Sequence, residues 1–445
     1  MKPLNNIILN INFMKKIIFS TMLVVLFTTT LFAQQFKISG ELRPRFESRH
    51  GYKTLASPDQ DAANFISQRT RINLNYTSEK YKVYFSLQNV RVWGDVSTLS
   101  KNDKYGIAFH EAWGEYNFNS KFSIKLGRQE IVYDDQRMFG SVGWAQQARS
   151  HDALLLKFKT GEKGKLHLGL ALNANGETLF EEDYAVNQYK SFQYAWYHTN
   201  FNETIGLSAL FLNNGMVYNK AIDINNTDQK ITYSQTIGGR LTYKKNRLNA
   251  DAATYFQTGD TPTSLKNDKM DLSAYYFTIN AKYKITDQVL FGAGIEILSG
   301  NDQGDNSTKD KAFKPFYGTN HKFNGWMDYF YVGSYMNGTG LMDINTPIIY
   351  KKDKFSAVLI PHFFSAQGDL LNPDSSKADA YLGTEIDLAL GYKLYKNITF
   401  NIGYSHMFAT ESMEILKSGS KDETNNWIWA MITFKPTFFN KNFTK

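Results

Sequence analysis

The 445-residue sequence predicts an all-β fold: a single transmembrane antiparallel β-barrel of about 18 strands, with 16 or 14 as alternatives. Three observations carry that expectation. Period-two alternation of apolar and polar residues recurs along the whole chain beyond residue 33, while helical periodicity is almost absent. Short polar turns alternate with longer Gly/Asn/Asp-rich connections, as between the two rims of a barrel. Aromatic residues, 33 Phe, 27 Tyr and 7 Trp, return near strand ends, where an interfacial girdle belongs.

Composition narrows the field first. With no Cys and only 9 Pro, the chain is not a disulfide scaffold, a Cys-based metal site, a collagen or a disordered segment. Lys+Arg 50 against Asp+Glu 42 gives +8, too modest and diffuse for a nucleic-acid partner.

Residues 1–33 read as a signal peptide. From Met14, a start in its own right, the chain runs through Lys15-Lys16 and the apolar stretch Ile17 to Phe32, with cleavage expected after Ala33. The stretch is broken by threonines and short of the roughly 20 apolar residues of a spanning helix. Export follows, and residues 34–445 form one barrel domain.

Alternation places each strand. Leu166, Leu168, Leu170 and Leu172 share one face; Ile398, Phe400, Ile402 and Tyr404 share another, as do Ile428, Ala430, Ile432 and Phe434. Tight turns are expected at Ser78–Lys80, Asn119-Ser120, Gly161–Gly164, Asn202-Glu203, Lys244–Asn246, Thr286-Asp287, Lys352-Asp353 and Lys396-Asn397. Long connections are expected near 48–64, 93–106, 133–143, 175–189, 213–230, 259–269, 299–340, 367–378 and 410–424. Eight turns and nine loops give the eighteen strands, with the short turns periplasmic and the long loops extracellular. Closure is required because an open edge in lipid leaves backbone groups unpaired. Tyr76, Tyr116, Phe118, Phe158, Tyr243, Tyr283, Tyr392 and Phe434 lie near the turn ends.

The face opposite the apolar row is expected to surround water. Arg43 and Arg45 share it on the first strand, and Arg69 and Arg71 on the second. Lys125 and Gln129, then Arg149 and His151, then Arg240 follow on later strands. Crowded guanidinium groups require interleaved carboxylates, for which Glu41, Glu47, Glu111, Glu115, Asp251, Glu296, Glu385 and Asp387 are available. Such a wall attracts anions, and a planar guanidinium grips carboxylates through two parallel hydrogen bonds. A structural Arg/Glu network is the alternative. Arg91 and Arg128 fall on the apolar row, so only a β-bulge or an exit from the apolar band would turn them inward.

The segment Leu126-Gly127-Arg128-Gln129-Glu130, followed by Asp135-Gln136-Arg137, Gly140, Trp144 and Arg149-Ser150-His151-Asp152-Ala153, resembles the signature of the alginate-export family of outer-membrane porins. Gly40–Arg45, Arg69-Thr70-Arg71, Gln88–Gly94 and His110-Glu111-Ala112 resemble the same family's preceding strands. The resemblance is strongest over residues 36–160 and implies an arginine-lined conduit for a polyuronate, with roles for Arg43, Arg45, Arg69, Arg71, Arg128, Arg137 and Arg149. Asp135 and Asp152 fall within the same motif. Two departures stand out: His151 occupies a position where an aromatic residue is common, and the chain ends Asn440–Lys445 rather than at an aromatic.

No Gly-x-Ser-x-Gly or His-Glu-x-x-His motif is present, and Ser150 and His151, neighbours on a strand, point to opposite faces; no enzyme is expected. No cofactor is expected either, with Ca2+ at Asp302, Asp305 and Asp310 as the one alternative against a solvated loop. The connection 299–340 is long enough to fold into the lumen as a lid. The sequence therefore reads as a monomeric channel in the outer membrane of a Gram-negative bacterium, passing an anionic saccharide or other small acid. Its rivals are an adhesive or structural barrel with a blocked lumen and a general porin for neutral sugars.

Overall fold

The computed structural model describes residues 34–443 except 185–188, 224–225, 264–267, 306 and 331–337; the signal segment lies outside the described residues. The first strands are β1 (Gln34–His50), β2 (Ala63–Thr77), β3 (Tyr81–Val92), β4 (Ala108–Asn117) and β5 (Phe122–Gln129). Then come β6 (His151–Thr160), β7 (Gly164–Leu172), β8 (Tyr189–Asn200), β9 (Ile205–Asp223), β10 (Asn226–Lys245) and β11 (Leu248–Thr263). A short β12 (Asp268–Leu272) precedes β13 (Ala274–Lys284) and β14 (Val289–Leu298), and a two-residue β15 (Lys309–Asp310) precedes β16 (Leu341–Asn345) and β17 (Ile348–Lys352). The chain closes with β18 (Phe355–Ser365), β19 (Tyr381–Tyr395), β20 (Ile398–Ala409), β21 (Asn426–Phe434) and β22 (Thr437–Phe443).

These strands make eighteen antiparallel staves. β16 and β17 are one stave, because both pair with β14 on one side and β18 on the other. β21 and β22 are likewise one stave, and both pair with β1, which closes the cylinder from Gln34 opposite Phe443 to His50 opposite Asn426. Each break sits at a proline, Pro347 and Pro436, which cannot donate to the ladder. β12 and β15 are outside the ring and pair with each other beyond β11.

The outer surface is apolar around the circumference. Leu42, Ile72, Leu126, Leu170, Phe211, Ile237, Phe256, Ile279, Phe291, Ile344, Phe363, Ile402 and Ile428 are all exposed on that face. A soluble protein does not leave so continuous an apolar belt in water, so hydrocarbon surrounds it. At the turn end Phe118, Phe122 and Phe158 stack in series with centroids 5.0 and 4.7 Å apart, part of the expected girdle.

Two expectations are corrected. Within the connections expected at 213–230 and 259–269, residues 213–223, 226–230, 259–263 and 268–269 are strand: β9 pairs with β10, and β11 with β12, well past the expected strand ends. Beyond the lipid the outer face no longer needs apolar residues, so the strand carries on with a polar composition that imitates a loop. The cross-strand amides of Gln193, Asn213 and Gln235 form a hydrogen-bonded row there, at 2.7 and 2.8 Å.

The second correction concerns the interior, which is not simply water. The connection from β5 to β6 and the part of the β15–β16 connection up to Phe330 fold into the lumen. There Phe139, Tyr317, Met327, Tyr329 and Phe330 are buried against inward residues of the wall, among them Phe192, Leu212, Phe364 and Trp427. Burying such side chains stabilises by about 1.5–3 kcal/mol each, enough to hold loops that have few strand hydrogen bonds. The two segments also pair with each other, Gly140 N–H donating to Tyr317 O at 2.8 Å and Thr319 N–H to Gln136 O at 2.9 Å.

Candidate solute path

Strand parity brings four arginines to one side of the lumen, where Arg43 stands opposite Arg69 and Glu41 opposite Arg71 across the β1–β2 ladder. Four guanidinium groups this close demand acceptors. Arg69 pairs with Glu41 at 2.6 Å, and Glu47 bridges Arg45 and Arg49 at 2.8 and 2.7 Å. The remaining donors turn to the first internal segment. Arg43 donates to Gly143 O at 2.8 Å, to Trp144 O at 3.0 Å and to the Gln146 side chain at 2.9 Å. Arg45 donates to Trp144 O at 2.7 Å. Arg71 donates through Nε to Gln88 at 2.7 Å, while its buried Nη2 has no hydrogen-bond partner among the described residues. The carbonyls face the wall because the chain is bent by residues in the left-handed region, Val142 at φ 51° and Ala148 at φ 55°. For a β-branched valine that conformation costs about 1–2 kcal/mol and persists only where neighbours impose it.

The wall sector formed by β14, β16 and β19 is acidic. Glu296, Asp343, Glu385 and Asp387 are buried there, and the second internal segment lies on them. Trp326 N–H donates to Asp387 at 3.1 Å and Met327 N–H to Glu385 at 2.8 Å. Gly325, at φ 81°, makes this approach feasible, since a Cβ would stand 2.6 Å from the Glu385 carboxylate. Arg137 joins the two internal segments, bonding Glu296 at 2.9 Å and Asn324 at 2.8 Å while lying against the Phe323 ring. Asp328 accepts from Tyr52 Oη and pairs with His321 at 2.8 Å. Burial opposes its ionisation, but His321, the Tyr52 hydroxyl and Lys53 outweigh burial and hold its pKa below the ordinary value.

The internal segments leave separate spaces. One, of about 680 Å³, opens toward the loop end between Arg45, Arg49, Arg91, Trp144 and Asp328. Two others, of about 660 and 220 Å³, open toward the turn end, the smaller bordered by Arg240, Asp251, Glu296 and Lys322. Lys322 is held below its ordinary pKa by burial.

Other singled-out residues divide by face. Glu111 accepts from the Trp113 indole at 3.0 Å, Glu115 pairs with Lys157 at 2.8 Å, and the Lys125 ammonium lies 3.9 Å from the Trp113 ring centre. Gln129 donates to Ala153 O at 2.9 Å, and Arg149 to Gly318 O at 3.0 Å. His151 is buried among Phe139, Phe192 and Tyr317 and bonds Tyr189 at 2.9 Å. Arg240 reaches Asp135 at 3.5 Å and Asp251 at 3.3 Å. Arg128 and Asp152 are corrected: they pair with each other at 2.8 Å, on the same outer face as Leu126 and Leu154. The β5–β6 register runs without a bulge, so nothing turns them inward. Arg91 is corrected in part. It stands opposite the outward Gln68, bonds Asp95 at 3.1 Å, and reaches the lumen only at the rim of the loop-end cavity.

The Ca2+ alternative fails on its own residues. Lys311 bridges Asp302 and Asp305 at 3.6 and 3.1 Å, and Lys314 holds Asp310 at 2.6 Å. Among the described residues the metal-competent grouping is instead His110, Glu111 and Glu130. There His110 Nε2 meets Glu130 at 2.8 Å and Nδ1 meets Ser150 Oγ at 3.1 Å. These contacts tie both ends of the first internal segment to β4.

Sequence reasoning missed Gln146, Asn324, Asp328, Asp343 and His362, which are loop residues or isolated polar positions with no periodic signal. Trp144 carries a sequence signal only as a motif position.

The family described as alginate export matches residues 34–337. No curated protein matches the chain. Among solved structures, OccAB4 of Acinetobacter baumannii superposes with TM-score 0.59 at 11% identity, over 92% of this chain and 100% of that one. OccK8 (OprE) of Pseudomonas aeruginosa gives 0.57 at 12% identity, over 91% and 98%. A BenF-like porin of Pseudomonas fluorescens Pf-5 gives 0.57 at 12% identity, over 91% and 99%. These likenesses show the fold.

Proposed function

The chain belongs to the alginate-export family, and from that premise we propose that this outer-membrane barrel is a gated, passive channel for anionic solutes, with uronate oligomers as its preferred class. The observation that carries this reading is the aim of the guanidinium donors. Arg43 and Arg45 direct them at the carbonyl oxygens of Gly143 and Trp144, where a carboxylate would take the same donors with stronger, charge-assisted bonds. An anion arriving in the loop-end cavity competes with residues 143–146 for the wall, and the wall, freed of them, becomes the conduit. Several such sites in series hold a solute weakly enough to release it. The closed ring leaves no edge in the membrane for strand pairing with a second copy. A fold neighbour at 10% identity, OpdK of Pseudomonas aeruginosa, has been solved with vanillate.

Liposome swelling tests the reading. Proteoliposomes are expected to swell in sodium galacturonate faster than in an isotonic neutral sugar, and to lose that preference when Arg43, Arg45 and Arg69 are replaced by Gln. A second reading, a surface barrel with a closed lumen, is favoured by the buried aromatic packing of the internal segments. It predicts no swelling in either solute.

A further inference from the structure

We propose that the periplasmic mouth carries a loading site for polyvalent anions, built from lysines that the arginine wall does not include. The inference rests on the channel reading above and adds a ligand class and a side of approach. The turns between β2 and β3, β4 and β5, and β6 and β7 enclose the cavity of about 660 Å³, which is lined by Lys80, Lys82, Lys121, Lys157, Lys159 and Lys165. Only two carboxylates, Glu79 and Glu115, share it, and Glu115 is already paired with Lys157 at 2.8 Å.

Among the described residues the other five lysines make no ion pair. Lys159 stands directly opposite Lys165 in the β6–β7 ladder, an arrangement in which like charges repel. A purely structural mouth would set an acid against one of them, as Glu115 is set against Lys125 one hairpin away. Parity turns Lys82, Lys159 and Lys165 to the inner face, since Lys82 lies opposite Thr77 on the face of Arg71, and Lys159 on that of Leu155. The outer face at this level belongs to the Phe122–Phe158 stack. Lys82, Lys159 and Lys165 therefore face the lumen rather than the bilayer, and Lys80 and Lys121 lie in the adjoining turns.

Cations spread over three neighbouring turns fit a ligand whose negative charges are also spread along a chain. A single carboxylate engages one or two of them; a row of carboxylates or phosphates engages several, and each further contact forms within a molecule already held. Short turns are periplasmic in barrels of this kind. The ligand therefore loads from the cell side, and the site concentrates it at the mouth without driving it through.

The test uses the full barrel in zwitterionic detergent, with fluorescein-labelled oligogalacturonate and labelled polyphosphate as separate probes and galacturonate monomer as competitor. Tighter binding of either polymer than of the monomer, by about tenfold or more, is expected. The combined Lys121→Gln, Lys159→Gln and Lys165→Gln variant should lose that advantage, and the corresponding Arg variant should keep it. The preferred polymer identifies the ligand class. Equal binding of polymer and monomer, or a Gln variant that still prefers the polymer, overturns the site. Anion preference in a planar bilayer reports the arginine wall separately: a wild type that prefers anions but binds polymer and monomer equally overturns the loading site alone, and a wild type without anion preference overturns the channel reading.

Discussion

The guanidinium of Arg45 lies 4.1 Å from the centre of the Trp144 indole and donates to the carbonyl of that same residue at 2.7 Å. One wall arginine thus grips both the side chain and the backbone of the segment that fills the lumen. Trp144 also packs on His321, Trp427 and Trp429, with centroids 4.8, 5.6 and 4.8 Å away. The indole joins the basic wall, the closing stave and the second internal segment.

Trp144→Ala removes that joint while leaving the ring of staves intact. Truncating a packed tryptophan costs about 3–5 kcal/mol, here charged against the seating of the segment rather than the barrel. Single-channel recordings should show a larger and noisier open conductance than the wild type; an unchanged trace would mean that Trp144 holds nothing shut.

Arg137→Met strands Glu296, whose side chain is 6% exposed, without its cation. Removing one member of a buried pair costs about 3–5 kcal/mol. Limited proteolysis between residues 131 and 150 should accelerate sharply, and Glu296→Met in the same chain should restore much of the protection. Failure of the double variant to recover would show that Arg137 acts through other contacts.

Acid should release the second internal segment. Asp328 has a folded pKa below its ordinary value of 3.8, so the bonds its carboxylate makes to His321 and Tyr52 stabilise the seated segment above that pH, and the stabilisation is lost as pH falls through the folded value. Conductance should rise as pH falls below about 4. In Asp328→Asn the acid-dependent step should disappear, and a step that persists would place the titrating group elsewhere.

Arg128→Ala supplies the contrast. Its pair with Asp152 is on the outer face, with side chains 43% and 62% exposed, and such pairs contribute about 0–1 kcal/mol. Ion selectivity should be unchanged, whereas Arg69→Ala should reduce it; equal effects of the two would contradict the assignment of faces.

Much of the barrel is legible because a stave must satisfy lipid on one side. Leu166, Leu168, Leu170 and Leu172 declare their face whatever they pack against, and turns such as Lys396-Asn397 interrupt the rhythm where the chain reverses. The filled interior is harder to read, since nothing periodic marks Ile131, Tyr133, Met138 and Phe139 as lumen residues. A signal was nevertheless present. Ala153, Leu154, Leu155 and Leu156 form an unbroken apolar run, and a strand apolar on both faces has something apolar on both sides. Ala153 and Leu155 are buried inward, and Phe192, Tyr194 and Trp196 repeat the pattern on β8. Arg128 shows the converse error: a family motif drew it inward although its parity placed it outside.

In a channel of the proposed kind, wall cations set the sign of what crosses. The reversal potential of the wild-type channel in a planar bilayer under a KCl gradient measures that directly. A potential displaced toward the chloride equilibrium value, and moved back toward zero by Arg43→Gln with Arg69→Gln, is the predicted result; a potential at or toward the potassium value would contradict it.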